Sequence, residues 1–157
     1  MNQYTTQTRL IIPALDPLYS FLSPAAVPMI RVFAGLILMP HGAQKLFGWF
    51  GGGGLEGTAQ FFGNVLGLEP GMLFAVLVGA TEFFGGLFLA LGFLTRIAAA
   101  GATVVMLFAI VLVHLGNGFF NQNGGYEYPL LWGIVTLAFV FRGGGAWSLD
   151  RRIGREF

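Results

Sequence analysis

Apolar residues run along this chain in four long stretches, separated by connections rich in Gly, Pro and Asn. The stretches cover about residues 27–47, 72–93, 97–115 and 128–147. A helix needs about 20 mostly apolar residues to cross a bilayer, so each stretch predicts one membrane-spanning helix. The fourth is uninterrupted only from Tyr128 to Phe141, and the segment Gly143 to Trp147 is expected to complete it at the interface. Past the run Gly51 to Gly54, the residues Leu55, Ala59, Phe62 and Leu66 recur at helical spacing. They predict a short amphipathic helix resting as a lid on the outer face. The glycine run lacks a Lys-Ser/Thr ending and a preceding strand, so it reads as a hinge and not as a phosphate-binding loop. Residues 10–22 are apolar but broken by Pro13, Asp16 and Pro17, and are expected to lie along the inner interface. The predicted fold is an all-α integral membrane protein. It comprises an interfacial segment (1–26), an antiparallel four-helix bundle (27–147) with its outer-face helix, and a basic tail (148–157).

Composition narrows the class further. Hydrophobic residues make up 55% of the 157 and charged residues 10%, where a soluble domain carries about a quarter charged. From Ile97 to Tyr126 no Asp, Glu, Lys or Arg occurs. That much apolar surface excludes a soluble domain, a disordered chain and a secreted disulfide scaffold. A net charge of +1 without a basic block excludes a nucleic-acid binder. Cysteine is absent, so this chain alone builds no disulfide relay, thiolate metal site or iron–sulfur cluster. Redox work would need a bound cofactor, a diffusible substrate or a partner subunit. The prolines after Arg9 also argue against a cleaved signal peptide.

Charge placement sets an expected orientation. Arg9, Arg31, Arg96, Arg142, Arg151, Arg152 and Arg155 fall at one end of the predicted helices, and only Lys45 at the other. The positive-inside rule puts both termini in the cytoplasm and the 48–70 and 116–127 loops outside.

The remaining polar residues are candidates for chemistry. On a 100° wheel Arg31, Ala34, Gly35, Leu38, Gly42 and Lys45 share one stripe of the first helix, with His41 at its edge. Charges avoid lipid and small residues let helices approach, so this stripe should face other helices. Glu82 is bordered by Gly79, Gly85 and Gly86 and should do the same. At about 1.5 Å rise per residue, His41 lies about 9 Å and Glu82 about 15 Å below the outer end. Glu82 is therefore expected to face His41, with Lys45, Glu127, Tyr126, Tyr128 and His114 at the outer rim and Arg31 below. Each has a plain structural reading too. Glu82 can be paired for packing, Lys45 can reach for headgroups, and Arg31 can serve as an interfacial anchor. His114 falls opposite the small-residue stripe Ala98, Gly101, Ala102 and Ala109 and would face headgroups. Two histidines with no supporting second shell make a haem site a weak reading, and no metal site is expected.

The ordered motifs RVFAG (31–35), PHGAQKLFG (40–48), VGATEFFGG (78–86), LGFLTR (91–96), YEYP (126–129) and GGGAWSLD (143–150) resemble those of the DoxX family. The resemblance covers about residues 27–152. It implies a four-helix protein of the bacterial cytoplasmic membrane with a link to redox work, since family members include a subunit of a thiosulfate:quinone oxidoreductase. It also implies roles for Arg31, His41, Lys45 and Glu82. The expected function is a quinone-linked membrane oxidoreductase subunit, whose activity on its own is left open. Glu82, His41 and Lys45 are its catalytic candidates, and Arg31, Gln44, Glu127 and Tyr126 its ligand-binding candidates. Membrane lipid, a quinone and other subunits of a redox complex are the expected partners. The alternative is a non-catalytic adaptor, or a subunit binding a lipid-like ligand, within a larger complex. A transporter is disfavoured, because no internal repeat or broken helix pair is evident.

Overall fold

The computed structural model describes residues 9–156. Every regular element among them is helical. Helix α1 spans Asp16–Phe47. Helix α2 spans Gly54–Gln60 and runs on into a π-helical turn, Phe61–Val65. Helices α3 (Gly71–Leu91) and α4 (Thr95–Asn117) follow, then α5 (Glu127–Arg142) and the short α6 (Leu149–Ile153). Three of these, α1, α3 and α4, are long and apolar enough to cross a membrane. At 16 residues α5 falls below that length.

Two boundaries differ from those expected. Helix α1 begins at Asp16, so most of the segment expected along the interface forms its first turns. Pro17 sits in the first turn, where a missing N–H has no partner to lose. Pro24, Pro28 and Pro40 lie inside the helix. Each removes one ladder bond, yet breaking the helix in hydrocarbon would leave more backbone unpaired. At the other extreme α5 stops at Arg142, where Gly143 turns to φ +75°, and residues 143–147 do not continue it.

Glycines set how closely the helices approach. A side chain at Gly35 would collide with the backbone of Gly86 and Ala90, and one at Gly42 with Gly79 and Phe83. Ascending positions on α1 thus meet descending positions on α3, and the two helices pack antiparallel. On the other flank Ala99, Ala102 and Met106 of α4 and Phe139 of α5 join Ala34, Leu38 and Leu89 in one buried cluster. The hydroxyls of Thr103 and Thr136 meet at 2.9 Å across the α4–α5 contact. Thr136 also bonds back to the Trp132 carbonyl at 2.8 Å, so no hydroxyl hydrogen is left unused between the helices.

The end of the molecule nearer the termini is closed by a polar latch. Asp150 is 3% exposed and accepts from Leu94 N (2.8 Å), Thr95 N (3.0 Å) and Thr95 Oγ1 (2.6 Å). It thereby satisfies free N–H groups at the start of α4. Its own N–H donates to Gly92 O at 2.9 Å. Arg31, 1% exposed, donates to Leu89 O (3.3 Å) and Trp147 O (3.1 Å). Gly92 is required here twice over, since its φ is +69° and a Cβ would run into the Arg31 guanidinium. Arg96 completes the closure by donating to the carbonyls of Val140 and Phe141 at 2.7 and 2.8 Å.

Candidate functional site

At the opposite end, beneath the 48–70 loop, the helices border a cavity of about 1160 Å³. Helix α1 lines it with Leu38, His41 and Lys45, α3 with Thr81 and Glu82, α4 with Val105 and His114, and α5 with Tyr128 and Trp132. A short helix lies where the lid is expected, and α2 with its π turn presents Thr58, Phe61 and Phe62 to the same space. The Thr58 hydroxyl donates to Lys45 O at 3.4 Å, tying the lid to α1.

Glu82 meets α1 through Lys45 and not through His41. The Lys45 ammonium lies 2.6 Å from Glu82 Oε2 and 3.5 Å from His41 O. Backbone depth explains the difference from expectation. Lys45 packs level with Gly79, three residues or about 4.5 Å above Glu82, and its four-carbon stem spans that interval. The carboxylate is buried (4% exposed) while the lysine side chain keeps 28% of its surface. Burying a carboxylate without a partner costs several kcal/mol, and the contact with Lys45 offsets that cost. The His41 ring turns toward Tyr128 instead, with centroids 6.0 Å apart, and remains on the cavity wall.

Glu82 lies in a π-helical turn, Thr81–Gly85, and His114 ends another, Ile110–His114. With the turn that follows α2, all three π segments among the described residues border the cavity. Such turns place an extra residue in the helix and concentrate at functional sites. Its position opposite the alanine stripe points His114 toward headgroups, but it lines the cavity. The π turn shifts its angular position, and no wheel drawn at 100° could show that. Its Nδ1 lies 2.6 Å from Gly124 O. A carbonyl only accepts, so Nδ1 carries the hydrogen and Nε2 is the free nitrogen.

The other candidates are dispersed. Arg31 belongs to the latch, ten residues or about 15 Å along α1 from His41. Gln44 donates to Phe50 O at 3.4 Å. Tyr126 packs edge-on against Phe119. Glu127 is exposed and accepts from Asn121 N at 3.0 Å, and it is Asn121 that reaches the cavity wall. Trp132 also faces the cavity.

The DoxX family profile matches residues 26–115. An uncharacterised membrane protein of Mycobacterium tuberculosis is 32% identical, covering 85% of this chain and 84% of its own length. A Bacillus subtilis protein named "Putative oxidoreductase CatD" is 33% identical, covering 73% of this chain and 87% of its own length. An uncharacterised protein of Haemophilus influenzae is 36% identical over 65% of this chain and 82% of its own. No solved structure matches the chain. The profile spans more than half of the sequence and takes in Arg31, His41, Lys45 and Glu82, and with three apolar helices of membrane-crossing length beside it, this chain is a membrane protein belonging to the DoxX family.

Proposed function

We propose that this protein is a membrane-embedded oxidoreductase subunit whose cavity binds a quinone. In this reading α1, α3, α4 and α5 form an antiparallel four-helix bundle in the bacterial cytoplasmic membrane, with both termini inside. The observation that carries the reading is the Lys45–Glu82 ion pair on the wall of a large, mostly apolar cavity. The oxidoreductase name of the Bacillus subtilis relative points the same way. A bound quinone supplies two-electron, two-proton chemistry, with the electrons coming from a partner subunit that carries a redox centre. Lys45, and His41 beside it, donate hydrogen bonds toward the oxygens on which negative charge builds during reduction. Glu82 holds and releases a proton next to them. Glu127 steadies the rim through Asn121.

The test is turnover of a short-chain quinone by the assembled complex. Glu82→Gln keeps the shape and should leave quinone binding intact while slowing turnover about 10²-fold or more. Unchanged turnover would remove Glu82 from the chemistry, and a wild-type protein that binds no quinone would end the reading. Orientation is tested separately, because the natural sequence has no cysteine to interfere. A cysteine placed at Gly53 or Asn121 should react with an impermeant thiol reagent from outside, and one at Gly154 should not.

A further inference from the structure

We infer that the cavity opens sideways into the bilayer, through a cleft between α3 and α4, and admits a quinone with a long apolar tail rather than a water-soluble one. The inference rests on the quinone reading above and adds the route and the substrate class.

The two helices touch in one half only. Thr81 packs against Gly101 and Gly85 against Ala98, so they are held together from Thr81 toward Leu91. Nearer the 48–70 loop, no comparable packing joins Gly71–Ala80 to α4 among the described residues. Leu77 on one side and Val104, Phe108 and Leu112 on the other line the cavity. These same four side chains are 40–57% exposed, more than a cavity wall alone would leave them. Residues that border a cavity and the lipid-facing surface at once mark its mouth.

The approach from water is different. The lid puts Phe61 and Phe62 over the loop end of the cavity, and the Thr58 bond fastens it to α1. A ligand arriving from water meets aromatic rings, whereas one arriving from lipid meets an open apolar cleft. The cavity also exceeds the range of about 300–1,000 Å³ that takes a drug-sized ligand, so it holds more than a headgroup ring. An apolar tail lying between Leu77, Val104 and Phe108 exchanges lipid for side chains of the same polarity. A charged or polar tail would lose its hydration there with nothing to replace it. The inner end offers the opposite chemistry, with Lys45 and His41 presenting donors to an oxygen acceptor.

Binding to the full-length protein in phosphatidylcholine nanodiscs tests this with two probes that share one ring, a decyl-tailed benzoquinone and its tail-less counterpart. Val104→Trp and Leu77→Trp plug the cleft from opposite sides, at positions exposed enough (50% and 53%) to accept the bulk without overfilling the core. Each should weaken binding of the tailed probe by about tenfold or more and change that of the tail-less probe by less than about threefold. If the tail-less probe binds and neither plug affects the tailed one, the cleft is not the entrance, while the quinone reading stands. If neither probe binds the wild-type protein, the quinone reading fails and this inference goes with it. A co-purifying phospholipid that the tailed probe does not displace would assign the cleft to lipid and likewise overturn it.

Discussion

Lys45→Ala should destabilise the protein by about 3–5 kcal/mol, because it leaves a buried carboxylate without its partner. The reverse substitution should be milder. Glu82→Gln leaves a lysine whose stem already reaches partly exposed surroundings, where its ammonium can find water or headgroups. The double variant Lys45→Ala/Glu82→Gln should regain much of the stability that Lys45→Ala alone loses, since no uncompensated charge remains. Denaturation midpoints in one detergent, taken for all three variants, give the coupling directly. Additive losses would mean that the 2.6 Å contact contributes nothing beyond its two separate residues.

Asp150→Ala should be comparably severe, again about 3–5 kcal/mol, although it lies at the far end from the cavity. It removes all three hydrogen bonds at the start of α4. It also removes the negative charge that acts on the buried Arg31. Asp150→Asn keeps the size and one acceptor oxygen and should lose clearly less. The readout that separates this latch from the binding site is ligand affinity, which should be unchanged in the fraction of Asp150→Asn that remains folded. A loss of affinity at full stability would mean that the two ends communicate.

Much of this was legible in the sequence, and the exceptions have physical causes. The three long apolar helices, the short helix after the glycine run and the burial of Glu82 follow from apolar run length and from the placement of small residues. The start of α1 was hidden because proline reads as a helix breaker in water, and in lipid that penalty is outweighed by the need to pair backbone groups. Backbone rise alone points Glu82 at His41, whereas it accepts its hydrogen bond from Lys45, because a lysine acts at the tip of a long stem. A wheel of constant pitch cannot place His114, which ends a π turn. Asp150 looked like one of the charges of an exposed tail, and its role depends on a chain reversal at Gly143 to Trp147 that brings it under α4. That is a long-range contact, and local pattern does not encode it.

The π-helical turn at Thr81–Gly85 carries a consequence of a different kind. A π turn holds one residue more than the α-helical path between the same two points. Deleting a single residue there, Phe84 for example, would restore the shorter path and rotate one part of α3 against the other by about 100°. Either Glu82 would swing away from Lys45, or Gly86 would swing away from Gly35, with no other side chain altered. Insertions and deletions are ordinarily absorbed in loops. Here the count of residues within a helix is itself part of the site, so relatives in which α3 is one residue shorter would keep the motif letters and lose the geometry.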